Sequence, residues 1–261
     1  MSTFGRVIEV TIGGRLFRSP ELTIEFDLPF SESSAANVGE VRIYNLTDRT
    51  IQTLQQGAPV VVQAGYEGDV GTVFLGKAIE ITTSWEGVDK VTKIVIGDGS
   101  VEWMTARVNR TWRQGVRASE VARDIIGLLG LRVGRIQLPD DVRYPAGKSF
   151  STSAKAALEE IAADTGAKLH ITHEAVYLVP PGNWQRVGVF LSAETGLIES
   201  PQPSTQRPGA YRIRTLLQHR ITTDAMVEID SRTAKGQFRV VEGRHKSSVQ
   251  EHVTEALVVP V

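Results

Sequence analysis

The sequence predicts a mainly β fold with an α+β unit in its middle. Three observations carry that prediction. Both ends of the chain are rich in short stretches where apolar and polar residues alternate, punctuated by glycine, as half-buried strands require. Two segments of the middle repeat apolar residues at helical spacing instead. No run approaches the roughly 20 apolar residues that a membrane-spanning helix needs.

Taken in order, residues 6–12 alternate, with Val10 and Ile12 among Glu9 and Thr11, and Gly13–Gly14 is a hairpin turn pair. Residues 21–30 alternate more cleanly: Leu22, Ile24, Phe26 and Leu28 on one face, Thr23, Glu25 and Asp27 on the other. Residues 31–39 are a polar loop, and Val41, Ile43 and Tyr44 begin another strand. Thr47 is placed to cap a short helix carrying Ile51 and Leu54 and ending near Gly57. Residues 59–64 form a continuous apolar run, consistent with a buried strand. Residues 73–84 and 88–96 flank Trp85, Glu86 and Gly87 as a long hairpin. Strands at this density suggest a barrel or sandwich, and strands this long leave edges that closure, charge or a neighbouring subunit must cover.

The middle begins with a helix over residues 118–129, Ser119 its cap, Val121, Ala122, Ile125, Ile126 and Leu129 its apolar face, and Gly130 its stop. Residues 131–136 read as a strand and 142–150 as irregular or extended chain. A second helix follows Ser151, Thr152 and Ser153, with Ala154, Ala157, Leu158, Ile161 and Ala162 on one face and Gly166 at its exit. Residues 168–172 and 175–179 form a hairpin about His173–Glu174. Pro180, Pro181 and Gly182 mark a boundary. Beyond it, residues 187–191, 210–217, 225–229, 237–241 and 252–259 are strand candidates, with an exposed charged turn between Glu242 and Glu251. No repeat of period 20–50 is present.

Charge and composition narrow the function. The chain of 261 residues holds 29 basic and 30 acidic side chains, which argues against a general nucleic-acid or membrane-surface binder. It has no cysteine, so disulfides and thiolate metal sites are excluded, in keeping with a reducing cytoplasm. The stretch MSTFGRVIEVTIGG lacks an apolar core of signal-peptide length, and a soluble protein made without secretion is expected.

No catalytic, cofactor-binding or metal-ligating residue is assigned. His170 and His173 stand three apart on a strand and turn, and a regular strand sends them to opposite faces. His245 and His252, across the last hairpin, read as exposed or interfacial polar residues. Glu159–Glu160 and Asp140–Asp141 read as solvated surface, because glycosidase carboxylates must flank a cleft. The glycines of GYEGDVG (65–71) and GDG (97–99) lack the lysine and Ser/Thr of a phosphate loop and read as turns. The run RVNRTWRQGVR (107–117) sets Arg107, Arg110, Arg113 and Arg117 around Trp112. It reads as an exposed linker or partner contact, with a single-stranded nucleic-acid surface as the sharper alternative.

Three segments together resemble baseplate hub proteins of contractile-tailed bacteriophages and related injection machines, the phage protein D-like tail hub family. The first spans residues 39–78: Asn45–Leu46, the short helix over 47–56, Gly65–Tyr66, and Val73–Phe74–Leu75–Gly76. The second is the helix and hairpin with Ala157–Leu158, Ile161–Ala162, Gly166 and Val176–Tyr177–Leu178–Val179–Pro180. The third is GLIESPQ followed by YRIRTLLQHRI, AMVEID and GQFRVVEGRHK. His173–Glu174–Ala175 departs from the pattern, where glycine or asparagine is expected, and 222–236 lack a clear proline–glycine turn.

The resemblance implies two tube-type β-barrel or sandwich domains plus a small helix–hairpin domain: residues 1–111, 112–181 as a peripheral α+β domain, and 182–261 completing the second tube-type domain. It implies a structural, non-enzymatic homotrimer that adapts a six-fold tail tube to a three-fold spike. Spike and tube proteins, with tape measure and baseplate wedge proteins, are the implied partners. DNA would pass the lumen without specific binding, with no cofactor and no membrane insertion. The implied location is the virion tail baseplate after assembly in the host cytoplasm. Two alternatives stand beside it: a tail-associated cell-wall hydrolase or carbohydrate-binding module, and another tail tube or distal tail adaptor protein.

Overall fold

The computed structural model describes residues 5–261. In chain order, β1 (Arg6–Ile12) and β2 (Arg15–Arg18) form a hairpin, followed by β3 (Ile24–Ser31) and β4 (Val38–Tyr44). Thr47 caps α1 (Asp48–Ile51), its hydroxyl accepting the Thr50 N–H at 3.2 Å. Then come β5 (Pro59–Tyr66), β6 (Asp69–Glu86) and β7 (Asp89–Gly97). The middle holds α2 (Ser100–Thr105), β8 (Arg107–Trp112), β9 (Val116–Arg117), α3 (Ala118–Leu128), β10 (Arg132–Ile136), β11 (Arg143–Tyr144), β12 (Lys148–Ser153), α4 (Ala154–Thr165), β13 (Lys168–Thr172) and β14 (Ala175–Val179). The chain closes with β15 (Gln185–Leu191), β16 (Gln202–Pro203), β17 (Tyr211–Leu216), β18 (Ala225–Asp230), β19 (Lys235–Ser247) and β20 (His252–Pro260). The architecture is mainly β with few helices, as predicted.

The chain divides into two compact units. One comprises the residues up to Ser31, Val38–Gly97 and Trp184–Val261; the other comprises Glu32–Asn37 and Asp98–Asn183. The first is built on a 13-stranded sheet in the order β16-β17-β20-β19-β3-β4-β7-β6-β5-β1-β2, with β18 and β15 branching from β19. Strict alternation makes this possible. In β3 every second side chain is buried, so Ile24, Phe26, Leu28 and Phe30 face inward while Glu25 and Asp27 face out.

The sheet wraps two cores. Val10, Leu28, Ile43, Val62, Ile94 and Ile96 belong to one, and Leu191, Val227, Ile229, Phe238, Val240 and Val258 to the other. β19 joins them. Its first part, Lys235 to Arg239, pairs with β18; after a bulge between Val240 and Glu242, its second part pairs with β3, Glu242↔Ser31 through Ser247↔Phe26. The exposed turn expected between Glu242 and Glu251 is therefore mostly strand. Alternation continues through Gly243, His245 and Ser247, and charged residues at even positions merely mark its outer face.

His245 and His252 correct a second expectation. They are 1% and 2% exposed, so they are core residues. Ring nitrogens and neighbouring hydroxyls satisfy each other: His245 Nδ1 lies 2.9 Å from Thr254 Oγ1 and His252 Nδ1 lies 2.9 Å from Ser247 Oγ. His252 Nε2 lies 3.0 Å from the Gly65 carbonyl, which can only accept. Nε2 therefore carries the proton, and Nδ1 accepts from Ser247.

In the second unit, α3 and α4 share a core with the three-stranded sheet β10-β14-β13, where β14 runs parallel to β10 and antiparallel to β13. Ser153 caps α4, accepting the Ala156 N–H at 3.1 Å, and Gly166 ends it at φ 64°, a left-handed value that costs glycine nothing. α3 departs from its predicted cap. Arg117 occupies the N-cap position, and Ser119, buried in the first turn, gives its N–H and its hydroxyl to the Asp141 carboxylate, both at 2.9 Å. A carboxylate from a distant loop thus does what a local hydroxyl was expected to do. Partial burial works against the Asp141 charge, but the Ser119 bonds and Arg117 outweigh it and hold the carboxyl below its ordinary range.

The run expected as an exposed linker is strand β8, paired with β12 from Arg107↔Ser153 to Trp112↔Lys148. The short helix α2 was not foreseen. Its six residues are too few for a periodic signal, although Trp103, fully buried, anchors it by donating its indole N–H to the Ser34 carbonyl at 2.8 Å.

Candidate functional site

The candidate site is the outward face of the large sheet, where alternation places every second side chain of β3, β4, β7, β19, β20 and β17 in water. Register sets the rows: Arg214 lies opposite Glu255, Glu255 opposite Arg244, and Asp27 opposite both Lys246 and Glu40. Ion pairs link them. Arg214 reaches Glu251 at 2.6 Å and Glu255 at 3.4 Å, Lys246 reaches Glu251 at 2.8 Å, and Arg244 reaches Asp27 at 2.9 Å. Glu40 holds Lys93 at 2.6 Å and Arg42 at 2.7 Å, Arg42 approaches Glu86 of β6 at 3.6 Å, and Tyr44 donates its hydroxyl to Glu25 at 2.9 Å.

Charge state follows from this geometry. Partial burial pushes the Glu40 carboxyl up, but the bonds from Lys93 and Arg42 prevail and hold it below the ordinary carboxylate range. Lys246 does the same for Glu251. Acids and bases are interspersed on this polar face and mostly held in ion pairs, although Asp27 lies opposite Glu40 and Arg42 opposite Lys93. Exposed pairs of this kind contribute only about 0–1 kcal/mol each. The ladder is therefore better understood as surface chemistry than as a source of stability. Between residue 199 and β19 it opens into a concavity of about 610 Å³ lined by Arg212, Arg214, Arg244, Glu199, Glu242 and Glu255.

The residues singled out from sequence are not brought together. His170 is buried and stacks on Tyr177 with ring centroids 4.8 Å apart, while His173 occupies the hairpin turn. Among the described residues, no group of three or more His, Asp or Glu side chains converges as a metal site would. Glu160 and Asp164 both pair with Lys148, at 2.7 and 2.8 Å, and Glu159 accepts from Ser34 at 2.8 Å. Two of the acids of α4 thus share one lysine and the third takes a serine hydroxyl, an ion-paired helix surface rather than two carboxylates facing each other across a cleft. Trp112 donates its indole N–H to Asp124 at 2.8 Å and packs edge-on against Phe150, and Arg110 reaches the same Asp124 at 3.1 Å. A tryptophan engaged on its edge and one ring face, beside a neutralised arginine, is a poor base-stacking platform. The ladder itself was missed in the sequence, because alternation identifies an outward face but not which charges share a row.

No protein-family model matches the chain, and no curated protein matches it. Solved structures do. The 43 kDa tail protein of prophage MuSo2 from Shewanella oneidensis superposes with a TM-score of 0.73 over 98% of this chain and 98% of its own, at 10% identity. The chain has the fold of phage tail proteins. A tail protein from Neisseria meningitidis MC58 gives a TM-score of 0.63 over 98% of this chain and 96% of its own, at 11% identity. The Escherichia coli c3393 protein, a component of the type VI secretion system, gives 0.63 over 97% and 76%, at 6% identity. The tail-protein fold extends across both units, and the resemblance drawn from the three sequence segments holds at the level of fold. At such identities the likeness lies in how alternation, turns and strand order repeat.

Proposed function

We propose that this chain is a structural, non-enzymatic component of a phage tail or related contractile injection machine: a baseplate hub subunit that assembles as a homotrimeric ring and adapts a six-fold tube to a three-fold spike. In this reading residues 1–111 and 182–261 supply two tube-type domains and residues 112–181 a peripheral one. The observation that carries it is β19, which pairs with strands of two cores on one sheet and so joins two β lobes in a single chain. Three copies of two lobes make a pseudo-six-fold ring. The overlap with the MuSo2 tail protein along 98% of both chains supports the same reading.

The paired-charge face suits a lumen. A wall of interspersed, mutually paired acids and bases would neither grip nor repel a passing polyanion strongly, whereas an excess of lysine and arginine would bind DNA through its phosphates. The proposed partners are the spike and tube proteins, with tape measure and wedge proteins near by; the neighbours known as PdpA–VgrG complexes fit a spike-type partner. Its proposed place is the tail baseplate of the virion, after assembly in the host cytoplasm. Light scattering on the purified chain, alone and mixed with the spike protein, tests this. A trimer, or trimerisation on adding spike, is expected; a hexamer would move the assignment to a tube or distal tail protein.

A further inference from the structure

We infer that the outer edge of β8 is a docking site where an extended, acidic segment of another protein adds a strand to the second unit. The backbone register of β8 and two arginines beside it carry this independently of the hub reading.

Among the described residues β8 pairs only with β12, antiparallel and without a bulge, and β9 and β11 continue the same register through Val116↔Tyr144 and Arg117↔Arg143. The Ala154 N–H bonds the Ala106 carbonyl at 2.9 Å, and the Ala118 N–H bonds the Val142 carbonyl at 2.9 Å, so even-numbered residues hold this ribbon together. Arg107, Asn109 and Thr111 therefore turn their N–H and C=O groups away from β12. Nothing among the described residues bonds those groups, and all three residues are exposed. Outward groups recur every second residue, about 7 Å apart, which is the spacing that an added strand matches.

Side chains at this edge select the partner. Val108 is buried on the inner face, where Asp124 also takes the Arg110 guanidinium and the Trp112 indole N–H. Arg107, Asn109 and Thr111 share the outer face, with Thr111 Oγ1 lying 3.0 Å from Ser149 Oγ. Arg107 opens the strand and Arg113 follows its end, and both are exposed. Arg110 and Arg117 are held by Asp124 and Asp141, but among the described residues no carboxylate pairs with Arg107 or Arg113. Charged side chains normally deter strand addition at an edge. Unpaired arginines deter a basic strand, or a second copy of the same edge, and admit an acidic one, because a carboxylate directly across from Arg107 gains a cross-strand ion pair.

Other edges of this unit lack that combination. β12 turns Ser149 and Ser151 outward, and its Lys148 is already shared by Glu160 and Asp164. β10 is bulged between Val133 and Arg135, and β13 is mostly buried, its Ile171 carbonyl taken by the Asn37 amide at 3.3 Å. A nucleic acid would meet the same arginines, but it offers no alternation of backbone donors and acceptors at strand spacing. An acidic peptide satisfies both the edge and the charge.

The test uses the full chain and three probes: a capped peptide alternating glutamate with threonine and valine, its counterpart with lysine for glutamate, and a single-stranded oligothymidine. Titration followed by backbone amide NMR should show the acidic peptide shifting Arg107, Asn109 and Thr111, and binding at least about tenfold more tightly than the basic one. Asn109→Pro removes an outward N–H without touching the bonds to β12, and should weaken the acidic peptide about tenfold, the equivalent of one or two lost hydrogen bonds. Arg107→Glu combined with Arg113→Glu leaves the backbone intact and should reverse the preference, so it decides the matter if Asn109→Pro lowers the unfolding midpoint. Equal binding of the two peptides, no binding at millimolar concentration, shifts away from β8, or tighter binding of oligothymidine than of the acidic peptide would overturn the inference. Dimers of the chain that Asn109→Pro abolishes would also overturn it, by giving the edge to a second copy.

Discussion

The Asp98 carboxylate accepts both the backbone N–H of Asn37, at 2.6 Å, and its side-chain amide, at 2.9 Å. The same amide also reaches the Ile171 carbonyl at 3.3 Å, and the His173 N–H bonds Asp98 as well, so one acid ties a loop to the β13–β14 hairpin. Asp98 is 1% exposed. Burial raises its pKa to about 7, against the opposing pull of the donors around it.

The first prediction follows from that shift. The carboxyl titrates near 7 folded and near 3.8 unfolded, so the folded unit binds more protons between those values. Its stabilising contribution is complete below the unfolded value and is lost as pH rises through 7. Urea unfolding followed at Trp103 should show the second unit more stable at acid than at alkaline pH, and Asp98→Asn should flatten the slope.

His252 has the opposite sign. Burial pushes its pKa down to about 4, so between 4 and 6.5 the unfolded chain binds more protons than the folded one. Its contribution is intact above 6.5 and disappears as pH falls toward 4, by roughly 3 kcal/mol in all. Hydrogen exchange should show β20 and β5 losing protection across that window while the Asn37–Asp98 region gains it. His252→Gln should remove the acid limb; an unchanged limb would mean that another group governs it.

The hairpin turn stores strain. His173 and Glu174 both sit at left-handed φ, 52° and 56°, where asparagine or glycine is usual. Glu174→Gly should stabilise the protein by about 1 kcal/mol, the cost of a side chain in that region, as read from thermal or urea midpoints. Gly166→Ala, at φ 64° with open space around it, should cost about the same, since only backbone conformation changes.

The charge ladder should prove nearly silent in stability. Glu40→Ala removes the partner of Lys93 and Arg42, yet the expected loss is about 1 kcal/mol or less, diminishing further at high salt. A loss of several kcal/mol in denaturation experiments would show the face to be structural rather than a solvated wall.

Much of the fold is legible in the chain because it is written in local periods. Alternation in β1 and β3, the Thr47 cap, the Ser153 cap and the Gly166 exit each depend on neighbours within a few residues. Where reading failed, distant residues decided. Ser119 loses its capping role because Asp141 arrives from another loop, and the charged stretch after Glu242 becomes strand because β3 and β20 flank it. The face of the ladder could be named from sequence, but not its pairs, because Arg244 and Asp27 lie 217 residues apart.

The sequence by itself determined that the chain is mainly β with two helices in its middle, that it carries little net charge, and that it cannot form disulfides. Burial of alternate apolar side chains is a local property, and composition needs no fold. The tertiary structure decided which strands became neighbours, that β19 joins two cores, that His245 and His252 are interior, and that β8 keeps an open edge. Strand partners are chosen by long-range register, where the gain from hydrogen bonds and buried area is collected only after distant segments meet.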